Sequence, residues 1–278
     1  MKVLSCGAGM QSMALALMSC ENKLTGIKYE FVPIYDAVVF VNLGSEPKWV
    51  REQVEFIQKA CKNVDIPFYE LEKNLYRDYM ERFGNAHVSA VPFWSIGENG
   101  KKAKMWRHCT IDYKIATVEK FLKYNLLGYK YLQRIKDEDF QAHEMHIGFS
   151  YEESRRVSGK EKSKLFIKQY PLIDMKWERA DSYKYILEKW GLETKASACN
   201  FCPFHTNYFF NYLKEHDPES YKEVVDLDRL IEEKQKDTKI RSKIFVSRSV
   251  KRIVDLLPED CMDAQYFDYN GKKIWNGF

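Results

Sequence analysis

The feature that most constrains this chain lies within its first twelve residues. Lys2-Val3-Leu4 reads as a short strand, Met13 to Met18 suits a helix, and Ser5-Cys6-Gly7-Ala8-Gly9-Met10-Gln11-Ser12 between them is a turn built of small residues. A helix entered through such a turn begins with backbone N–H groups that have no carbonyl partner. Those donors and the positive end of the helix dipole converge on the turn and make it a seat for an anion. Gly7 and Gly9 are read as the positions that take positive φ and allow close approach, and Ser5 and Ser12 as added hydroxyl donors, so that a pyrophosphate is held with little need for a lysine. The turn lacks the Gly-Lys-Ser/Thr of a Walker loop. It also lacks the third glycine and the acidic ribose partner of a dinucleotide fingerprint. Taken alone, glycine and serine after a strand describe a ligand-free tight turn equally well.

Strands and helices go on alternating beyond it. Val38-Val39-Phe40-Val41 reads as a buried strand ending at Gly44, and Glu46 to Ala60 carries Val50, Val54 and Ile57, with Cys61 following, at helical spacing. Pro67 to Leu71 is a third strand and Met145-His146-Ile147-Gly148-Phe149 a later one, so the pattern predicts an α/β fold with a parallel sheet flanked by helices. Val88 to Arg107, with Pro92, Gly97, Gly100 and several lysines, reads as a long surface loop. After about Pro171 helices dominate, at Arg179 to Trp190 and Thr206 to Lys236. The expected division is an α/β nucleotide-binding domain over 1–175 and a mostly helical C-terminal region over 176–278. With 278 residues, 45% of them hydrophobic, the chain can bury a full core.

Seven cysteines, an odd number with a single Cys-x-x-Cys pair, argue against a secreted disulfide framework and for a reducing, cytoplasmic setting. Met1 to Cys20 superficially imitates a lipoprotein signal, but Ser5, Gly7, Gly9, Gln11 and Ser12 break the apolar core such a signal needs. No run approaches the roughly 18 apolar residues of a spanning helix, so a soluble protein without a membrane partner is expected. The net charge of +4, from 44 basic and 40 acidic residues, is too slight to imply a polyanionic partner for the whole chain. Two local clusters are basic. Lys236, Lys239, Arg241, Lys243, Arg248, Lys251 and Arg252 crowd one stretch, and Phe93, Trp94, Lys101, Lys102, Lys104, Trp106 and Arg107 mix rings with cations, a combination that stacks bases and tracks a phosphate backbone, or else is a solvated face.

Further motifs succeed one another along the chain. Phe40-Val41-Asn42-Leu43-Gly44-Ser45-Glu46 looks like a Phe-x-Asp-Thr-Gly-x-Glu segment, from which Asn42 and Leu43 depart; Cys109-Thr110 precedes Lys114; Ile147-Gly148 precedes Glu153 and Arg156. Tyr170-Pro171-Leu172 leads to Arg179 and Asp181, and Ser197-Ala198-Cys199 to Cys202-Pro203-Phe204. With Ser5 to Ser12 in the form Ser-x-Gly-x-Gly-x-x-Ser, this ordered set over most of residues 1–205 resembles the phosphoadenylylsulfate (PAPS) reductase-like family of the PP-loop, or adenine nucleotide alpha hydrolase, superfamily. The resemblance implies the Rossmann-like fold of that superfamily (the HUP, or PP-loop ATPase, class). It further implies an adenine nucleotide bound by Ser5, Gly7, Ala8, Gly9, Gln11 and Ser12 of the loop, by Asn42, Gly44 and Glu46, and by Gly148 and Glu153. Lys114, Arg156 and Arg179 are the cations that would neutralise phosphate or sulfate oxygens and serve catalysis. Mg2+ would assist, although Gln11 stands where many PP-loop enzymes carry aspartate.

Cys199-x-x-Cys202 places two thiols on one turn, a spacing that suits zinc or an iron–sulfur cluster, with Cys109 brought in from afar. Three sets remain open: a [4Fe-4S] cluster on three cysteines, a structural Zn2+ completed by His205, with His108 a second possible contributor, and a thiol pair without metal. The resemblance suggests the cluster, but Thr110 stands where the reductases have a second adjacent cysteine. For function the resemblance implies an enzyme that splits ATP at the α-phosphate to adenylate an oxygen and directs sulfur into a nucleic acid, as in tRNA thiolation or DNA phosphorothioation. Its partners would be tRNA or DNA and a cysteine desulfurase or other sulfur donor. One alternative is a PAPS or adenylylsulfate (APS) reductase, for which Cys261 is the only late nucleophile and lacks the expected Glu-Cys-Gly-x-His context. The other is a nucleotide- or nucleic-acid-binding module that has lost the chemistry, as Gln11, Asn42 and Thr110 suggest.

Overall fold

The computed structural model describes residues 1–84, 91–157, 163–238 and 240–278. In chain order its elements are β1 (Lys2–Cys6), α1 (Met10–Thr25), β2 (Ala37–Asn42), α2 (Lys48–Asn63), β3 (Phe68–Glu72), α3 (Leu75–Arg82), β4 (Trp94–Ile96), β5 (Lys102–Lys104) and α4 (Ala116–Phe121). Then come β6 (His143–Ile147), β7 (Phe166–Gln169), α5 (Pro171–Asp174), α6 (Arg179–Trp190), α7 (Asn207–His216), α8 (Pro218–Lys234), β8 (Lys243–Phe245), β9 (Tyr266–Tyr269) and β10 (Lys272–Trp275).

The central sheet runs β3-β2-β1-β6-β7, with every neighbouring pair parallel. It is a Rossmann-like α/β sheet whose order reverses beside β1. Successive residues of β1 face opposite layers: Val3 joins one apolar cluster and Leu4 the other. Leu4, Val38 and Phe40 pack against α1, α2 and α6, while Val3, Val39, Val41 and Met145 pack against α3, α4, α7 and α8. Burial on both faces is why β2 reads as an unbroken apolar run rather than an alternating one. Helix α1 is buried nearly all round, from Met10 to Cys20, which accounts for its resemblance to a signal sequence. Both clusters draw side chains from before and after residue 175. Among the described residues no helix is long and apolar enough to cross a membrane.

Three expectations need correction. The stretch read as a long loop folds from Trp94 to Lys104 into the hairpin β4–β5, to which β8 adds a third antiparallel strand. Its strands are too short to display a period, and Val88 to Ala90 of that stretch lie outside the described residues. The helix read from Thr206 to Lys236 is two, because Pro218 has no N–H to continue α7 and instead opens α8, capped by Asp217. The C-terminal part is helical as expected at α6 to α8, but it also supplies β8 and the hairpin β9–β10. Strand β7 was not foreseen, since Phe166-Ile167-Lys168-Gln169 is too short and mixed to announce itself.

The basic run after α8 contributes to the core. Arg252 bonds Asp228 at 2.9 Å and reaches Glu232 at 3.2 Å, Lys251 pairs with Asp260 at 2.7 Å, and Arg248 lies 3.6 Å from Asp263. Asp228 is buried and also accepts the N–H of Ile253 at 2.9 Å. Arg252→Ala should therefore lower the unfolding free energy in urea by about 3 kcal/mol, because it strands a buried carboxylate. Lys243→Ala, on an exposed side chain of the same run, should change it by less than about 0.5 kcal/mol. Equal effects would contradict this division.

Candidate functional site

Where the strand order reverses, between the C-terminal ends of β1 and β6, the sheet opens into a cavity of about 270 Å³. Crevices at such a reversal are the usual ligand sites of open parallel sheets. Its floor is Val39, Val41, Met145 and Ile147, and its rim is the loop from Ser5 to Ser12 with Gly148. The geometry of the loop departs from expectation. Neither Gly7 nor Gly9 has positive φ; the left-handed residue is Ala8, at φ 57°. Gly9 serves close approach instead, since a Cβ there would lie 3.2 Å from the Ser197 amide nitrogen, whereas a Cβ on Gly7 would meet only the Ser12 hydroxyl at 3.9 Å. Gly148 is tighter still, because a Cβ there would fall 2.7 Å from the Ser12 nitrogen and 2.9 Å from its Cα. Ser12 is buried and its hydroxyl is used within the loop, accepting from the Gly7 N–H at 3.1 Å and donating to the Gly9 carbonyl at 3.2 Å. It shapes the seat, and the anion donors left are the first amides of α1.

Cations surround that seat. Lys114, Arg156 and Arg179 all line the cavity, joined by Arg107 and Lys168, which the sequence reading had not placed there. Lys114 is set by the π-type turn Thr110–Ile115 leading into α4, and Arg179 by the first turn of α6. Arg156 lies over the Phe149 ring, 4.2 Å from its centroid, and bonds Glu153 at 2.5 Å. Among the described residues the only acidic side chain on the cavity wall is that of Glu153. It accepts from the Gln11 amide at 3.2 Å and from the Ser150 hydroxyl at 3.2 Å, so it ties Arg156 to the loop. The Nε of Arg179 has no hydrogen-bond partner among the described residues, with Glu152 3.6 Å away.

The three distant cysteines meet beside this seat. Cys109, Cys199 and Cys202 line a chamber of about 520 Å³ that shares Arg107, Lys114, Arg156, Arg179, Ser197 and Phe278 with the first. Burial raises the thiols of Cys199 and Cys202, and Lys114 opposes that in both. His205 is not brought to the chamber. Its ring stacks on Phe209 with centroids 3.4 Å apart, and its Nε2 lies 2.9 Å from the Cys199 carbonyl oxygen. Burial pulls its pKa down to about 3, so the neutral ring donates through Nε2, and its Nδ1 is buried without a partner among the described residues. Among those residues, too, no three His, Cys, Asp or Glu side chains are gathered closely enough to hold a single metal ion.

Asn42, Gly44 and Glu46 line a different recess, of about 440 Å³, and are not on the wall of the first cavity. Asn42 Oδ1 accepts from the Gly44 N–H at 2.8 Å, and Gly44 has φ 90° with its Cα face against Asn74. Cys261 is buried and lines neither the loop cavity nor the cysteine chamber. Of the ring-and-cation stretch, Arg107 lines the chamber and Lys104 faces Phe204, which also lines it, whereas Phe93 is buried in the core. Lys102 and Lys104 each lie 4.3 Å from the Trp94 centroid, Lys104 and Arg107 face the Phe204 ring, and Trp106 is 84% exposed. Of the later basic run only Lys236, Arg241 and Lys243 are exposed, and Lys239 lies outside the described residues. Sequence reasoning missed Ser197, whose hydroxyl donates to the Gly7 carbonyl, and Phe278, which lines both chambers. Ser197 opens the motif that leads to Cys199, where the cysteines carried the signal, and Phe278 sits in no motif.

No protein-family model matches the chain, and no curated protein matches it. Among solved structures it is similar to a U34-tRNA thiolase, NcsA from Methanococcus maripaludis, with its [4Fe-4S] cluster. The identity is 16% and the TM-score 0.37, over 83% of this chain and 71% of that one. At that score the likeness is loose.

Glu46 offers a pH test of the site's electrostatics. Burial pushes its carboxyl up to about 7, with Lys114 and Arg51 pulling it down, and its Oε2 has no partner among the described residues. A carboxyl that holds its proton more tightly in the folded chain makes stability fall as pH rises from the ordinary glutamate value of about 4.3 through 7. Glu46→Gln should remove that slope. In urea titrations it should match wild type near pH 4 and exceed it by up to about 3 kcal/mol at pH 8; parallel curves would show that Glu46 is charged at ordinary cost.

Proposed function

We propose that the chain is an AMP-forming, ATP-dependent sulfurtransferase that activates an oxygen of a nucleic-acid acceptor. The observation that carries this reading is the meeting of an amide seat, a ring of cations and three thiols in two chambers that share walls. ATP would lie with its phosphates against the first amides of α1 and among Lys114, Arg156 and Arg179. The acceptor oxygen attacks the α-phosphorus, the bond from that phosphorus to the bridging oxygen breaks, and pyrophosphate leaves with the electron pair. The cations oppose the charge that builds on the phosphoryl oxygens, where preorganised donors in a water-poor site are most effective. A sulfide from the sulfur donor then attacks the activated carbon, the C–S bond forming as the C–O bond breaks and AMP leaves with the oxygen. Mg2+ would enter with the nucleotide, and Glu153 is the cavity carboxylate placed to meet it.

A [4Fe-4S] cluster held by Cys109, Cys199 and Cys202, which line one chamber, would supply an iron site for sulfur. The acceptor's polyanionic backbone is supported by Lys102, Lys104, Arg107 and Arg248 on or beside the chamber wall, where among the described residues only Asp263 forms an ion pair with any of the four, and by exposed Trp106 as a stacking surface. A reductase reading has no support at Cys261, which is away from both chambers.

Two measurements test this function. Wild type incubated with ATP, Mg2+, tRNA and sulfide should form AMP and pyrophosphate, and Lys114→Ala should lower kcat/KM by roughly 100-fold or more, the scale of losing one transition-state charge partner; ADP and phosphate as products would reject the α-phosphate reading. Anaerobically reconstituted protein should show a broad visible sulfur-to-iron absorption that Cys199→Ala abolishes. A colourless protein that retains zinc would instead identify the centre as zinc.

A further inference from the structure

Ala8 is the one loop residue in the left-handed region, a conformation that costs a residue bearing a Cβ free energy unless its surroundings hold it. Its carbonyl is held by a side chain from another element. Gln53, buried on α2, donates from Nε2 to the Ala8 carbonyl at 2.5 Å. The same nitrogen lies 3.2 Å from the Lys195 carbonyl, and Gln53 Oε1 accepts the Lys195 N–H at 2.8 Å. One carboxamide therefore joins the loop to the strap Lys195–Ser197, using both its donor and its acceptor.

The strap is fixed on its other sides. Trp49 Nε1 donates to the Ala196 carbonyl at 3.1 Å, and the Ala196 N–H donates to the Asn276 carbonyl at 2.8 Å. The Lys195 ammonium lies among three rings, 5.1 Å from the Trp49 centroid and 5.6 Å from those of Tyr212 and Trp275, a cage of the kind that holds cations. From this anchored strap the Ser197 hydroxyl bonds the Gly7 carbonyl, and Gly9 packs against the Ser197 nitrogen. Two consecutive loop carbonyls, of Gly7 and Ala8, are thus turned toward the strap.

We infer that Gln53 is a positioning residue: by pinning the Ala8 carbonyl to the Lys195–Ser197 strap it keeps that carbonyl bonded within the protein and the amides of α1 facing the anion. Gln53 touches no substrate. Without it Ala8 relaxes from its left-handed conformation, and a carbonyl dipole turned toward the cavity repels a phosphate. The consequence for nucleotide rests on the ATP reading above, whereas the pinning of the loop does not.

The test uses the full chain with two readouts. The first is amide hydrogen exchange of Ala8 to Ser12 in the free protein; the second is calorimetric affinity for α,β-methylene-ATP, which cannot be cleaved at the α-phosphate. Gln53→Met, near in size but unable to donate, should speed exchange of the loop at least 10-fold and weaken the analogue about 10-fold. Ser197→Ala, at a less buried position, should weaken it several-fold and serves if Gln53→Met does not fold. Gln53→Glu gives a signature that a merely structural role would not. As a carboxylate it cannot donate to Ala8, but once protonated it can, so its deficit relative to wild type should shrink from about 10-fold at pH 8 toward none at pH 5.5. Loop exchange within twofold of wild type in both Gln53→Met and Ser197→Ala would overturn the inference, as would a Gln53→Glu deficit that is constant with pH. If wild type fails to bind the analogue while loop exchange responds to Gln53→Met, the ATP reading fails and the positioning role stands.

Discussion

The contact between Gly148 and the first turn of α1 is the constraint on which the site depends. A side chain at 148 would occupy the space of the Ser12 backbone, so only a bare Cα lets the end of β6 close against the helix start. That closeness brings β6 and the loop after β1 to opposite walls of one crevice at the point where strand order reverses. The unpaired amides of α1 then face a gap lined by β6 and by the segment C-terminal to it, including Glu153 and Arg156. The loop adds its own internal order through the Ser12 hydroxyl, which bonds Gly7 and Gly9 on either side of left-handed Ala8.

Charge in the two chambers is unevenly paired. Glu153 partners Arg156, and Glu152 stands near Arg179, yet Lys114 makes no ion pair among the described residues and acts instead as the common opposing charge for Cys6, Glu46, Cys199 and Cys202. A lysine placed among groups that burial drives toward neutrality lowers the cost of charging any of them. The same ammonium can thus favour thiolate character on the cysteine side and oppose phosphate charge on the loop side. Under the proposed function, this dual position would let a nucleotide reaction and a sulfur centre occupy adjoining spaces without separate sets of cations.

Much of this was legible in the sequence, for identifiable reasons. β1, β2, α2 and α6 announced themselves because their apolar residues are numerous and regularly spaced, and α6 was bounded correctly from Arg179 to Trp190. The loop and the Cys-x-x-Cys pair stood out by residue type and spacing, and Lys114, Arg156, Arg179 and Cys109 through the ordered motifs that carry the family resemblance. The hairpin β4–β5 and strand β7 could not, being three or four residues long, and Pro218 was overlooked as a break in a long helical pattern. Gln53 was invisible, and Ser197 was noted only as the start of the cysteine motif, for a different reason: each is a common polar residue whose role arises from a contact made far away in the chain. The basic run after α8 was misleading because a count of charges does not reveal that Arg252 faces buried Asp228.

The pairing of Arg252 bears on where a polyanion would meet the molecule. A phosphate backbone gains most from cations that have no protein carboxylate beside them, because displacing an existing partner costs what the new contact returns. By that measure Lys251 and Arg252 are poor candidates, since each already holds a carboxylate oxygen within 3 Å. Lys102 and Lys104 rest instead on the Trp94 ring, and burial together with Arg248 lowers both ammonium groups. An incoming anion would relieve that mutual repulsion rather than break an ion pair. At the hairpin a polyanion would therefore meet less competition from protein carboxylates than at Lys251 and Arg252.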